Sequence, residues 1–306
     1  MIKNKDTNPK TMTQIIISQF FEHRMAVISL VVIVSFCVIA FGADIIAALL
    51  KLDPSAQEIL SRFSPWSREH WLGTDEAGRD VFIRLIYGTK ISLTVAFVSA
   101  FSAGVIGIVI GSLAGYFGGW IDAVLMRVTD ALLALPTLPI LIILAAVDLG
   151  KLPLLKTLLH GEDSSILKMI FILMFFSWMV EARLVRGAIL SLKEREFVLA
   201  AKTMGMSHAG VIFREMLPNV LSTVIVAVTL NVGQSILYEA TLSFLGLGIQ
   251  PPTPSWGNML NNASEIIYSA PSLAVIPGLL ILIIVMSFNF LGDGLQDALD
   301  PKAIRR

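Results

Sequence analysis

The chain has 306 residues, of which 55% are hydrophobic and only 15% charged, a balance that belongs to membrane proteins and excludes an ordinary soluble domain. Its 23 basic and 23 acidic residues cancel to a net charge of zero, so no basic field is available for nucleic acid. Cys37 is the single cysteine and sits inside an apolar run, which rules out an internal disulfide and reads as a packing residue.

Residues 1–25 form a polar tail with Lys3, Lys5, Lys10 and Arg24 set against Asp6 and Glu22, and Ile15 to Phe21 suits a short surface helix. From Ala26 to Ala43 the chain is apolar for long enough to cross a bilayer, which takes roughly 20 residues. The basic start also fits a secretory signal. The apolar run exceeds a usual signal core and no clear A-x-A site follows, so an uncleaved first membrane helix within 26–50 is expected. Residues 51–90 are the only extended polar segment, read as external and ending in a helix that leads into the membrane. Within it, Asp75 and Asp80 make a carboxylate pair of the kind used at metal or acid/base sites. The plainer reading is a turn at Gly73-Thr74 with Asp75 capping that helix, because no His or Cys stands at ligand spacing.

Five further apolar runs follow, at about Ile91–Phe117, Leu132–Leu149, Ile166–Ala182, Asn219–Leu242 and Leu273–Leu291. The expected fold is therefore all-α and polytopic, with six transmembrane helices, a core over 91–292 and a cytoplasmic tail over 293–306. Gly107, Gly111, Gly115 and Gly119 recur every four residues in the second span and predict close helix–helix approach. Pro136 and Pro139 predict a kink in the third. After the fifth span, Pro251, Pro252 and Pro254 followed by Trp256-Gly257 predict a stiff external loop, with Trp256 in the interface belt.

A charged insert, Ser191 to Pro218, interrupts the apolar pattern. Ser191 with Glu194 reads as a capping box, so a helix is expected from Leu192 to Met204. Phe197, Ala200, Ala201 and Met204 share one face, away from most of the charges at Lys193, Glu194, Arg195 and Lys202. Gly205 supplies the left-handed stop. Ser207 caps a second short helix, with Met206 and Val211 as its hydrophobic staple, and Pro218 marks the next boundary. The spacing fits a helix-turn-helix that docks into another protein better than it fits the alternative, an amphipathic connector lying on the membrane.

Placing the N-terminus inside puts 14 of the 23 Lys and Arg residues on the cytoplasmic side, the 183–214 loop and the C-terminus among them. No GxxxxGK[ST], G-x-S-x-G or H-E-x-x-H occurs, and His23, His70, His160 and His208 are scattered, so no catalytic or metal site is expected. Asp122, Arg127 and Asp130 open the third span while Glu181, Arg183 and Arg186 close the fourth. These charges either pair across two helices at the cytoplasmic border or simply mark the water interface. Asn231 and Gln234, one turn apart in the fifth span, either line a path for a polar solute or hydrogen-bond a neighbouring helix. Glu239 lies nearer the outer end.

The run Ala200, Ala201, Gly205, Leu217 and Pro218 resembles the EAA loop of ABC-importer permeases, E-A-A-x3-G-x9-I-x-L-P. Leu199 replaces its Glu, Glu215 its Ile, and Glu196 offers a substitute charge one turn earlier. Gly73-Thr74-Asp75…Gly78-Arg79-Asp80, SFLGLGIQPPTPSWG at 243–257 and FNFLGDGLQDALDPK at 288–302 are similar to the permeases of the dipeptide/oligopeptide/nickel ABC-importer family, most of all to the second permease of such systems. The resemblance spans about residues 20–302, with a longer insert around Lys151–Ser165.

It implies a type I permease in the bacterial inner membrane, with both termini cytoplasmic, paired with a homologous permease, two ABC ATPase subunits and an external solute-binding protein. It also implies that Glu196, Ala200, Ala201, Lys202, Gly205, Leu217 and Pro218 couple to an ATPase. ATP and Mg are then bound by the partner subunits and no cofactor by this chain. A bulky charge at Ala201 or Gly205 is accordingly expected to uncouple transport without preventing insertion. Other solutes of the family (nickel chelates, oligosaccharides) remain alternatives to peptides. A stand-alone secondary transporter is disfavoured by the absence of a visible internal repeat.

Overall fold

A computed structural model of the chain describes residues 12–147, 164–261, 265, 267, 268 and 270–299. Most of the Lys151–Ser165 insert, Lys3, Lys5, Lys10 and the basic C-terminal residues Lys302, Arg305 and Arg306 lie outside them. The regular structure of the described residues is almost wholly helical: α1 Met12–Glu22, α2 Arg24–Phe41, α3 Ala43–Leu50, α4 Val81–Phe117, α5 Gly119–Leu133, α6 Thr137–Ala146, α7 Ser164–Lys193, α8 Glu196–Thr203, α9 His208–Phe244 and α10 Ser272–Leu299. Five of them (α2, α4, α7, α9 and α10) are long and apolar enough to cross a membrane, and α5 with α6, bent by 84°, supplies a sixth if counted as one span.

The kink expected in the third span is thus a full break. Pro136 is the residue before α6 and Pro139 falls in its first turn, where a missing N–H costs nothing. The first span also differs from a single helix over 26–50: Gly42 interrupts it, and α3 continues beside α4, held by Asp44, which accepts hydrogen bonds from Lys90 Nζ at 2.7 Å and Tyr87 Oη at 2.8 Å.

The glycine ladder sets the centre of the bundle. A Cβ at Gly107 would stand 2.5 Å from Glu181 Cβ, at Gly111 2.5 Å from the Ala182 carbonyl oxygen, and at Gly115 2.8 Å from Ile189 Cγ2. The α4–α7 pair is accordingly the most extensive in the molecule. Gly119 does not belong to the ladder. It is the first residue of α5, at φ +55°, and faces open space.

At the other end of α4, Asp75 is not the cap. Asp80 takes that position, accepting from Ile83 N at 3.0 Å and meeting His70 Nδ1 at 2.8 Å. Asp75 closes the preceding turn instead, accepting from Ala77 N, Arg79 N and Arg79 Nε. The turn is bound to residues 58–66, because Thr74 Oγ1 donates to the Ser61 carbonyl and accepts from Ser64 N at 2.9 Å. Gly78, at φ +72°, packs so closely that a Cβ would stand 1.9 Å from the Glu58 carbonyl oxygen.

Trp256 is not in an interface belt. It is wholly buried, its ring edge-on to Phe36 at 5.7 Å, against Gly88 and in one core with Ile33, Leu93, Ile236 and Phe288. An aromatic this large gains more from burial than from a headgroup contact once a helix offers a glycine-sized notch.

Candidate functional site

The loop between α7 and α9 departs from the capping-box expectation at its start. Helix α7 runs on to Lys193, and Ser191 turns its hydroxyl back to the Gly187 carbonyl at 3.2 Å rather than capping a new helix. Helix α8 begins at Glu196 after an extended Arg195. Its end follows the sequence closely. Gly205 sits at φ +80°, its N–H reaches the Lys202 carbonyl, and Met206 N reaches the Ala201 carbonyl, a Schellman closure. Ser207 caps α9 by accepting from Gly210 N.

No boundary falls at Pro218. Residues Val211–Met216 widen into a π-helix, regular turns resume at Leu217, and Pro218 enters in the first turn of that regular stretch, where its absent N–H is harmless.

Burial divides the loop into two faces. Val198 packs in one core with Val211, Ile212, Met216, Val185 and Ile189 of the same chain, and Ala201 beside it on α8 is only 3% exposed. Ala201 therefore faces its own bundle, and a glutamate there would break this packing before it reached any partner. Any residue replacing Gly205 would be strained by its positive φ. Glu196, Phe197, Leu199, Ala200, Met204 and Phe213 are exposed, Met204 to 79%. Lys202 and Leu217 are half-buried, and Pro218 is exposed.

The border charges pair as two bridges. Arg186 donates to Asp122 through Nε at 2.5 Å and Nη2 at 2.6 Å, and Arg183 donates to Asp130. Arg127 is exposed on α5. Glu181 does not join them. It is 2% exposed inside the bundle and accepts from Asn231 Nδ2 at 2.6 Å, while its second oxygen has no partner. Asn231 thereby serves a neighbouring helix, and Gln234 is exposed.

No local pattern signals what Glu239 does. Its carboxylate, fully buried, accepts from Ser92 Oγ at 2.9 Å and Ser243 Oγ at 2.7 Å. Those hydroxyls accept in turn from Trp256 N and Ile249 N, so one acid pins the proline-rich loop to the first third of α4 and the end of α9. Glu239→Ala would orphan two buried hydroxyls at about 1–3 kcal/mol each. The expected result is a clearly lower melting temperature of the purified protein, with protease cleavage appearing first within 245–257.

Comparison with known proteins fits this architecture. Residues 107–305 match the family described as binding-protein-dependent transport system inner membrane component. The chain belongs to this family.

As such a component it carries at residues 11–65 the N-terminal transmembrane domain of oligopeptide transport permease C. It is 40% identical to the dipeptide transport system permease protein DppC of Alkalihalophilus pseudofirmus, over 93% of this chain and 88% of that one. It is 41% identical to the glutathione transport system permease protein GsiD of Pectobacterium atrosepticum, over 77% of this chain and 74% of the relative. Among solved structures, a chain of the MetNI methionine ABC transporter in an inward-facing form superimposes with a TM-score of 0.54 at 21% identity, covering 71% of this chain and 97% of the other. That likeness carries the fold, the all-α type I importer permease. The inner membrane component is thus a multi-pass membrane protein. Among its described residues no cluster of three or more His, Cys, Asp or Glu is placed to hold a metal.

Proposed function

We propose that this chain is one of two permease subunits of an ATP-driven importer of short peptides and that α8 is the lever its ATPase partner moves. The observation that carries the reading is the outer face of the α8 loop. Phe197, Leu199, Met204 and Phe213 are large, apolar and exposed on a charged segment at one end of a membrane bundle. Such a cluster on a loop in water marks a protein contact, and a transporter working alone would leave it without an occupant. The names of the relatives, which act on dipeptides and glutathione, support a peptide solute.

In this reading both termini and α8 face the cytoplasm, where ATP and Mg are held by two ATPase subunits. ATP draws the ATPases together, α8 moves with its partner, and the two permeases rock between inward- and outward-facing forms around a shared path. The chain itself performs no chemistry. Purified alone it should hydrolyse no ATP, and co-expressed with its neighbours it should co-purify with them and show hydrolysis that a binding protein loaded with a dipeptide stimulates. Stimulation by a nickel chelate or an oligosaccharide and not by peptides would replace the solute. Orientation is tested by labelling in intact cells: in a Cys37→Ala background, Leu60→Cys should react with an impermeant maleimide and Met204→Cys should not.

The opposite end of the bundle fits the binding protein. Ile59, Leu60 and Trp66 project from the strap fixed to residues 73–80, and Leu60 is fully exposed. Lys90 and Asp44 mark the polar border, and the strap is tied ten residues beyond it, about 15 Å along a helix axis. Leu60→Asp should weaken stimulation by the binding protein by about tenfold, as loss of an apolar anchor of roughly 1.5 kcal/mol does, while hydrolysis without it stays at the wild-type level.

A further inference from the structure

Helix α8 is joined to the rest of the bundle almost wholly by apolar contacts, which fix its distance but not its register. Tyr116 is different. It is the penultimate residue of α4, 5% exposed, and packs in the same cluster as Val198 and Val211. Its hydroxyl shares a hydrogen bond of 2.7 Å with Nδ1 of His208, the first residue of α9. The ammonium of Lys202, in the last turn of α8, stands 5.0 Å from its ring centroid, and that of Lys193, the last residue of α7, stands 6.0 Å away. One phenol thus meets the second span, the end of α7, the lever and the start of α9. The hydrogen bond and the cation–π contacts depend on direction, which methyl packing does not.

We propose that Tyr116 is the positioning residue that sets the register of α8 against the membrane bundle, so that a displacement of the lever is passed to α4 and α9 instead of being lost in slippage. This rests on the coupling reading of α8. Tyr116 touches neither solute nor nucleotide. It acts through Lys202 and His208, and its removal therefore loosens the link between hydrolysis and uptake without removing the surface on which the ATPase sits.

The test uses the complete complex, with partner permease, ATPases and binding protein, in proteoliposomes supplied with a dipeptide, and reads ATP hydrolysed per solute taken up. Tyr116→Phe keeps the ring and both cation contacts and deletes only the hydroxyl. His208→Ala deletes the other half of the same bond. Each is expected to raise ATP consumed per solute by about three- to tenfold, the factor one neutral hydrogen bond is worth. The double variant should be no worse than either single one, because both remove one interaction. His208→Asn, whose side-chain amide can take the place of Nδ1 in this bond, should restore the ratio. A merely structural role would lower the amount of complex and leave the ratio unchanged. If Tyr116→Phe does not assemble, His208→Ala and His208→Asn read the same bond.

A wild-type ratio in Tyr116→Phe or in His208→Ala, additive effects in the double variant, or no rescue by His208→Asn would each overturn the proposal. Ala200→Glu separates the two levels. If it leaves uptake intact, the lever assignment itself has failed. If it abolishes uptake while Tyr116→Phe couples normally, only the positioning role has.

Discussion

Gly111→Val should leave little folded protein. A Cβ at this position would stand 2.5 Å from the carbonyl oxygen of Ala182 and 2.7 Å from Val185 Cβ, before the two valine methyls are added. The first obstacle is backbone in the middle of α7, which cannot rotate aside as a flexible side chain can. Helices α4 and α7 would have to part, and Gly107 and Gly115, which rely on the same separation, would lose their contacts together. Overpacking of this kind costs about 1–3 kcal/mol where side chains yield, and backbone that does not yield raises it. The measurement is the fraction of detergent-extracted protein that stays monodisperse, together with its melting temperature. Gly187→Ala is the matching control, since a Cβ there meets nothing within 4 Å and alanine has the higher helix propensity, by up to about 1 kcal/mol. It should be neutral or stabilising. Equal damage from both variants would show that the ladder does not hold the pair.

Ala200→Glu, by contrast, should fold and insert normally and yet transport almost nothing. The position is exposed in the middle of α8, so the isolated chain accommodates the new side chain in water at no packing cost. In the assembled importer the same side chain would lie between α8 and its ATPase, where an unpaired carboxylate is stripped of water. The penalty for an uncompensated buried charge is about 3–5 kcal/mol, a loss of more than a hundredfold in the affinity of the contact. The expected result is normal yield and melting temperature, loss of the ATPase on size exclusion, and uptake near background. Ala201→Glu should look different, with lower yield and melting temperature, because Ala201 is buried within its own chain. If the two neighbours behave alike, the division of the loop into an inward and an outward face is wrong.

That division shows how far the sequence reaches. Periodicity placed Phe197, Ala200, Ala201 and Met204 on one helix face, but it carries no information about which side of the helix the bundle occupies. The contacts of α8 turn Val198 and Ala201 inward and leave the others to solvent. The Ser191–Glu194 pair failed for a related reason. A serine that caps a helix in one setting bonds the carbonyl four residues back in another, and the continuation of α7 along α4 selects the second. Asp75 was the expected cap of α4, but the turn closed by Gly73 and Gly78 sets Asp80 against Ile83 N instead.

What the chain alone determined is whatever depends on neighbours within a turn or two. This covers the apolar runs that become membrane spans, the break at Pro136, the left-handed stop at Gly205, the Ser207 cap and the glycine spacing that lets α7 approach α4. Only the tertiary structure decided the fates of the buried polar groups. Glu181 meets Asn231 across 50 residues and Glu239 meets Ser92 across 147. A polar group in an apolar interior must find a partner wherever the fold supplies one, and separations of that length leave no local trace from which the partner can be read.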